Sequence, residues 1–240
     1  MHVTKGLELR SQDNHAVFFD LDGVIIDSAP LITDIIHKML DNRGLSADPQ
    51  LLNKFVGPPL EEAFTILLDL IGEPSTDQNV AEWSNEFRNF YRARYQETKA
   101  YNKVDEMLLE ISSIVPCAIA TSKPQEFAKA ILENLKLDHF FTVIVGTEPH
   151  WEKKDKLTVL KIALNSLSVA LGSELINKNC IMIGDRYHDI EAAKALEMIS
   201  IGVSWGVGDY EELICSEPSF IVDKPSSIAK LIQEITRSIK

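Results

Sequence analysis

Little cysteine, no long apolar run and no surplus of positive charge characterise this chain of 240 residues. Its three cysteines, Cys117, Cys180 and Cys215, have no paired spacing, which excludes a disulfide framework or a zinc cluster. Cys117 and Cys180 fall in strand-like runs and Cys215 in a loop-like segment, and all three are expected as buried, reduced thiols. No window reaches the ~20 apolar residues that cross a bilayer. Residues 1–15 lack the apolar core of a secretory signal, so a cytoplasmic location without membrane attachment is expected. With 24 Lys and Arg against 36 Asp and Glu, the net charge of −12 argues against nucleic acid or an anionic membrane as partner. A phosphorylated small molecule stays open, because a metal and one or two lysines can reverse the field locally. No repeat or low-complexity tract interrupts an ordinary globular composition.

What is present is organised around Ala16-Val17-Phe18-Phe19-Asp20-Leu21-Asp22-Gly23-Val24-Ile25-Ile26-Asp27-Ser28. The apolar run reads as a strand buried on both faces, as in a parallel sheet. In an extended chain Asp20 and Asp22 leave on the same side. Two carboxylates at the end of a buried strand repel each other and lose hydration unless a cation lies between them. A hard divalent metal with oxygen ligands is the simplest such cation.

Past Ser28 the period becomes helical. Ile32, Ile35, Ile36, Met39 and Leu40 define one helix up to Asn42-Arg43-Gly44, a second runs from about Asp48 to Gly57, and a third from Leu60 to Ile71. A long amphipathic stretch from Asp77 to Thr98 carries Val80, Trp83, Phe87, Phe90 and Tyr91 on one face. Residues 28–100 are therefore expected to be all-helical and strand-free, an inserted domain, with 1–27 and 101–240 forming the α/β remainder. In that remainder the expected strands are Cys117 to Ala120, Phe140 to Val145, Cys180 to Ile183, Ile199 to Val203 and Phe220 to Asp223. Helices over 103–114, 156–171, 188–197 and 226–238, with one leading up to Leu135, alternate with them. Alternation implies right-handed crossovers and a doubly wound, Rossmann-like parallel sheet. Its carboxyl edge would gather Asp20 and Asp22, Thr121 and Ser122, and Gly184 and Asp185, where ligands of open α/β sheets bind.

Each piece has an ordinary explanation. Asp-x-Asp-Gly closes turns, Thr121-Ser122 could cap a helix, and Gly184-Asp185 with Asp189 could be a capped strand–helix turn. On successive strands of one sheet, however, they converge. Lys153, Lys154, Lys156 and Lys161 could be a solvated face. Lys156 differs because Leu157, Leu160, Leu164 and Leu167 place it in a first helical turn, where a cation opposes the helix dipole and needs an anionic partner. A bound phosphoryl group would supply one.

Phe-Phe-Asp-Leu-Asp-Gly-Val, Ala-Thr-Ser-Lys-Pro, Lys156 and Ile-Gly-Asp-Arg-Tyr-His-Asp resemble the four ordered motifs of the haloacid dehalogenase-like hydrolases, over nearly the whole chain. The helical block after the first motif resembles that family's mobile cap. Residues 57–64 and 203–208 look most like its phosphoglycolate-phosphatase and 5′-nucleotidase-like branches. The resemblance implies a Mg²⁺-dependent phosphatase acting on a small phosphorylated metabolite, as monomer or homodimer. Asp20 would be the nucleophile that forms an aspartyl-phosphate, and Asp22 the proton donor and acceptor. Thr121, Ser122 and Lys156 would hold the phosphoryl group. Asp20, the backbone carbonyl of Asp22, and Asp185 would bind Mg²⁺, while Gly184 and Asp189 support the metal shell or Lys156.

Rival expectations are a β-phosphoglucomutase-like transferase, which a sugar bisphosphate must prime, and a phosphonatase using Lys54 as a Schiff base. Asp22 counts against the phosphonatase and against dehalogenation. A catalytically idle binding protein of the same fold is the rival outside the enzymes. Arg88, Arg92 and Arg94 are candidates for a second anionic group or simply a solvated face.

Overall fold

The computed structural model describes residues 15–48, 52, 55, 58–148 and 155–238. Segment 1–14, most of the expected helix from Asp48 to Gly57 (including Lys54), Pro149, His150, Trp151, Lys153 and Lys154 lie outside the described residues. Six parallel strands form the main sheet: β1 (Ala16–Phe19), β4 (Cys117–Pro124), β5 (Val143–Thr147), β6 (Cys180–Gly184), β7 (Ile199–Val203) and β8 (Phe220–Val222). Their order is β5-β4-β1-β6-β7-β8, so the first strand is central and the chain winds outward from it in both directions. This is the expected doubly wound, Rossmann-like core.

Strand β1 pairs with β4 on one side and β6 on the other, and all four of its residues are inaccessible to solvent. Val17 and Phe19 join one hydrophobic layer, whereas Ala16 and Phe18 join the opposite one. Alternation at period two thus feeds both faces. Helices α6 (Lys156–Leu171) and α7 (Tyr187–Ala195) cover one face. Helices α4 (Val104–Ser112), α5 (Gln125–Asn134) and α9 (Ile228–Ser238) contribute to the other.

The block between β1 and β4 contains α1 (Ala29–Asp41), α2 (Leu60–Ile71) and α3 (Asp77–Arg94). Pro30 starts α1 where a missing amide costs nothing. Gly72 ends α2 with φ 76°, a conformation that disfavours a β-carbon. Thr76 caps α3 by accepting a hydrogen bond from the Asn79 amide. The apolar faces meet through Phe64, Trp83, Phe87 and Tyr91.

Some expected boundaries differ. The opening strand ends at Phe19, and after a turn β2 (Ile26–Asp27) pairs antiparallel with β3 (Lys99–Ala100). The block expected to be strand-free is therefore tied at its base by a two-residue ribbon. Strand β4 continues through Thr121 to Pro124, so Thr121 lies within a strand and caps no helix. The strand expected from Phe140 to Val145 begins only at Val143, where β5 aligns with β4, and Phe140 instead closes a 3-10 turn over Asp138–Phe140. Cys117 and Cys180 are buried, but Cys215 is exposed at the end of helix α8 (Tyr210–Cys215), contrary to the buried loop thiol expected.

Candidate active site

Three strand ends and one helix start meet at the carboxyl edge of the sheet. Asp20 follows β1, Thr121 and Ser122 lie in β4, Asp185 follows β6, and Lys156 opens α6. Asp189, in the first turn of α7, comes beside them. Asp20, Asp22, Thr121, Lys156, Asp185 and Asp189 are all buried, an arrangement that needs internal pairing.

Lys156 supplies part of that pairing. Its Nζ lies 2.6 Å from Asp20 Oδ1 and 2.9 Å from Asp189 Oδ1, and donates to the Ala120 carbonyl at 3.2 Å. The anionic partner required at this helix start thus consists of two carboxylates. Asp155 caps α6 by accepting from the Thr158 amide at 2.8 Å. Burial alone would lower the Lys156 ammonium pKa, but Asp189 and Asp20 outweigh it and the net shift is upward.

Asp20 and Asp22 do not share one extended strand: Leu21 is a bend, and Asp22 forms an isolated parallel bridge with Ile26. Asp22 Oδ1 accepts from Ser28 Oγ at 2.5 Å and faces Lys123 Nζ at 3.1 Å. Lys123 also donates to Tyr91 Oη at 3.1 Å, linking β4 to α3. Each of the two motif aspartates therefore has its own lysine. Ser28, Tyr91 and Lys123 were not singled out from the sequence; Lys123 stands inside the Ala-Thr-Ser-Lys-Pro motif, which was the available signal.

Asp20, Asp185 and Asp189 each offer a carboxylate oxygen, all within 4.8 Å of one another. Burial raises the Asp185 pKa to about 8, with Asp189 and Asp20 adding to the shift, despite amide donors from Gly208 and Val207. Burial likewise raises Asp20 to about 6, with Lys156 opposing and Asp189 and Asp22 reinforcing. Beyond the Lys156 ammonium, Asp20 Oδ1 and Asp189 Oδ1 have no partner among the described residues. Three buried carboxylates against one ammonium, all with oxygen donors, fit a hard divalent cation.

The loop after β7 holds this cluster in place. Val207 and Gly208 amides donate to Asp185 Oδ2 at 2.9 and 3.1 Å, and Trp205 Nε1 donates to the Val24 carbonyl at 3.2 Å. A β-carbon on Gly206 would stand 2.4 Å from Asp185 Oδ2, and one on Gly184 would stand 2.1 Å from the Asp189 side chain. Asp189 Oδ2 also accepts from the Arg186 amide at 3.2 Å, so the capped-turn reading of this segment is correct as far as it goes.

Thr121 Oγ1 accepts from the Lys123 amide at 3.2 Å. Ser122 lines both of two adjoining clefts. One contains Asp20, Lys156 and Asp189, and the other contains Asp22 and Lys123; Pro58 and Pro59 border both. Arg88 pairs with Glu61, Arg92 with Glu126, and Arg94 with Asp34 and Glu97, so the three arginines have protein partners.

The model of the haloacid dehalogenase-like hydrolase family matches residues 17–203. A phosphoglycolate phosphatase of Colwellia psychrerythraea is 28% identical over 225 residues, covering 90% of this chain and 95% of that one. A 5′-nucleotidase of Pseudomonas aeruginosa is 30% identical, covering 85% and 88%. Among solved structures, a protein described as a predicted phosphatase from Clostridium acetobutylicum superimposes with TM-score 0.81 at 33% identity, over 92% of this chain and 98% of that one.

Proposed function

The chain belongs to the haloacid dehalogenase-like hydrolase family, and from that premise we propose that it is a Mg²⁺-dependent phosphatase for a small phosphorylated metabolite. In this reading it works through an aspartyl-phosphate on Asp20. The observation that carries the proposal is that Asp20 and Asp22 line adjoining clefts that share Pro58, Pro59 and Ser122. A phosphoryl group at that junction would have a nucleophile on one side and a proton donor on the other.

An Asp20 carboxylate oxygen attacks phosphorus, and the bond to the ester oxygen breaks as Asp22 gives that oxygen a proton. Water then attacks the aspartyl-phosphate, Asp22 takes up its proton, and inorganic phosphate leaves Asp20. Lys156 and the hydroxyl or amide groups of Thr121 and Ser122 hold the equatorial phosphoryl oxygens. The carboxylates of Asp20 and Asp185 and the Asp22 carbonyl would hold Mg²⁺, with Asp189 supporting them. Bound there, the cation would offset charge on the transferring phosphoryl group.

Residues 28–100 serve as a cap on a core of 1–27 and 101–240. The β2–β3 ribbon at their base and the Lys123–Tyr91 hydrogen bond across the cleft support a unit that closes over substrate.

Phosphate release from p-nitrophenyl phosphate, measured with Mg²⁺ and with EDTA, tests this reading. The expected outcome is turnover abolished by EDTA and reduced at least ~10³-fold by Asp20→Asn with folding retained. Normal turnover by that variant would refute the nucleophile, and no turnover by the native protein would favour an idle binding protein.

A further inference from the structure

The cleft on the Asp22 side has a chemical character of its own. It encloses about 120 Å³ and is walled mainly by Ile32, Ile36, Phe64, Phe87, Tyr91 and Phe127. For scale, an apolar cavity of ~150 Å³ accommodates benzene. The rings form a connected run: Phe64 meets Phe87 edge-on at 5.8 Å, Phe87 stacks on Tyr91 at 5.7 Å, and Tyr91 meets Phe127 edge-on at 5.1 Å. A further flat ring would extend such a series favourably.

Among the described residues two cations border the same cleft, and both are already paired. Arg88 donates to Glu61 and to Asn85 Oδ1, while Lys123 is held by Asp22 and Tyr91. A carboxylate entering here would meet cations whose charge Asp22 and Glu61 already offset, so the loss of its hydration would be only partly compensated.

Resting on the phosphatase reading with Asp22 facing the leaving oxygen, we propose that this cleft selects phosphomonoesters whose leaving group is a compact, uncharged ring. Esters with an acidic leaving group, phosphoglycolate among them, are disfavoured. Hydrolysis releases the ring-bearing alcohol, protonated by Asp22, and inorganic phosphate.

The test compares benzyl phosphate with phosphoglycolate, both esters of weakly acidic alcohols, using the intact protein with Mg²⁺. The expected kcat/KM is at least ~10-fold higher for benzyl phosphate, in line with rejection of an unpaired charge by an apolar pocket. Equal or better hydrolysis of phosphoglycolate overturns the proposal. Failure of the underlying reading looks different: no metal-dependent release even from p-nitrophenyl phosphate, which overturns both. Glu61→Gln, which removes the carboxylate paired with Arg88 from the exposed start of α2, is expected to narrow the benzyl-to-phosphoglycolate ratio by roughly threefold, the scale of an exposed ion pair. An unchanged ratio overturns the part assigned to charge pairing.

Discussion

Asp185 has the most closely prescribed surroundings of any residue in the site. Two amides from the loop after β7 hold one oxygen, and two glycines leave room for the carboxylate. Gly23 has φ 79°, and a β-carbon there would stand 2.1 Å from Asp185 Oδ2. Gly23→Ala therefore combines backbone strain with a collision, and is expected to cost ~1–3 kcal/mol and to weaken Mg²⁺ activation. Urea denaturation and a Mg²⁺ titration of activity check the two effects separately. The pH dependence has a definite sign. Asp20 at about 6 and Asp185 at about 8 both lie above the ordinary 3.8, so the folded metal-free protein binds these protons more tightly than the unfolded chain. That contribution is complete below about pH 4 and is lost as pH rises through 6 and then 8. In EDTA the Tm should fall between pH 6 and pH 9, and added Mg²⁺ should restore most at the alkaline end. A flat or rising profile would contradict these surroundings. The motif aspartates were legible as a pair from their spacing and Lys156 from its place in a first helical turn, but the pairing of Asp22 with Lys123 was not. Those partners come from β4 and α6, more than a hundred residues along the chain for Asp22 as for Asp20.

At the scale of elements, a surface ion pair and a buried ring on the same helix carry different weights. Arg92 of α3 reaches Glu126 of α5 across an exposed gap, whereas Phe87 of α3 is buried among Phe64, Trp83 and Tyr91. Phe87→Ala is expected to destabilise by ~3–5 kcal/mol. Arg92→Ala should cost less than ~1 kcal/mol, since exposed pairs gain little over hydration. Denaturant titration of both variants checks the contrast. Elements with a strong apolar period and clear stops were read closely. Helix α2 runs from Leu60 to Ile71, α6 from Lys156 to Leu171 and β7 from Ile199 to Val203, as their patterns required. The ribbon of β2 and β3 left no such trace, because two-residue strands have no period and pair across the whole inserted block.

For the whole molecule, burial is greatest at the centre of the sheet and falls toward β8, whose Phe220 and Ile221 are exposed. Amides of β1, β4 and β6 should exchange with solvent most slowly and those of β8 faster, as hydrogen-exchange mass spectrometry would measure. Faster exchange in β1 than in β8 would contradict this sheet order. No helix among the described residues is long and apolar enough to cross a membrane. Alternating strands and helices, the polar residues at strand ends and the helical insertion were all available from the sequence by itself, because periodicity and turn chemistry are local. So were the four ordered motifs and the oxygen-rich character of the site. Only the tertiary structure decided that Asp20 and Asp22 line adjoining clefts with shared walls, that Asp189 joins Asp20 and Asp185 within 4.8 Å, and that aromatic rings from α2, α3 and α5 wall the space beside Asp22. Those facts depend on distances between segments far apart in the chain, which packing sets and residue order alone does not specify.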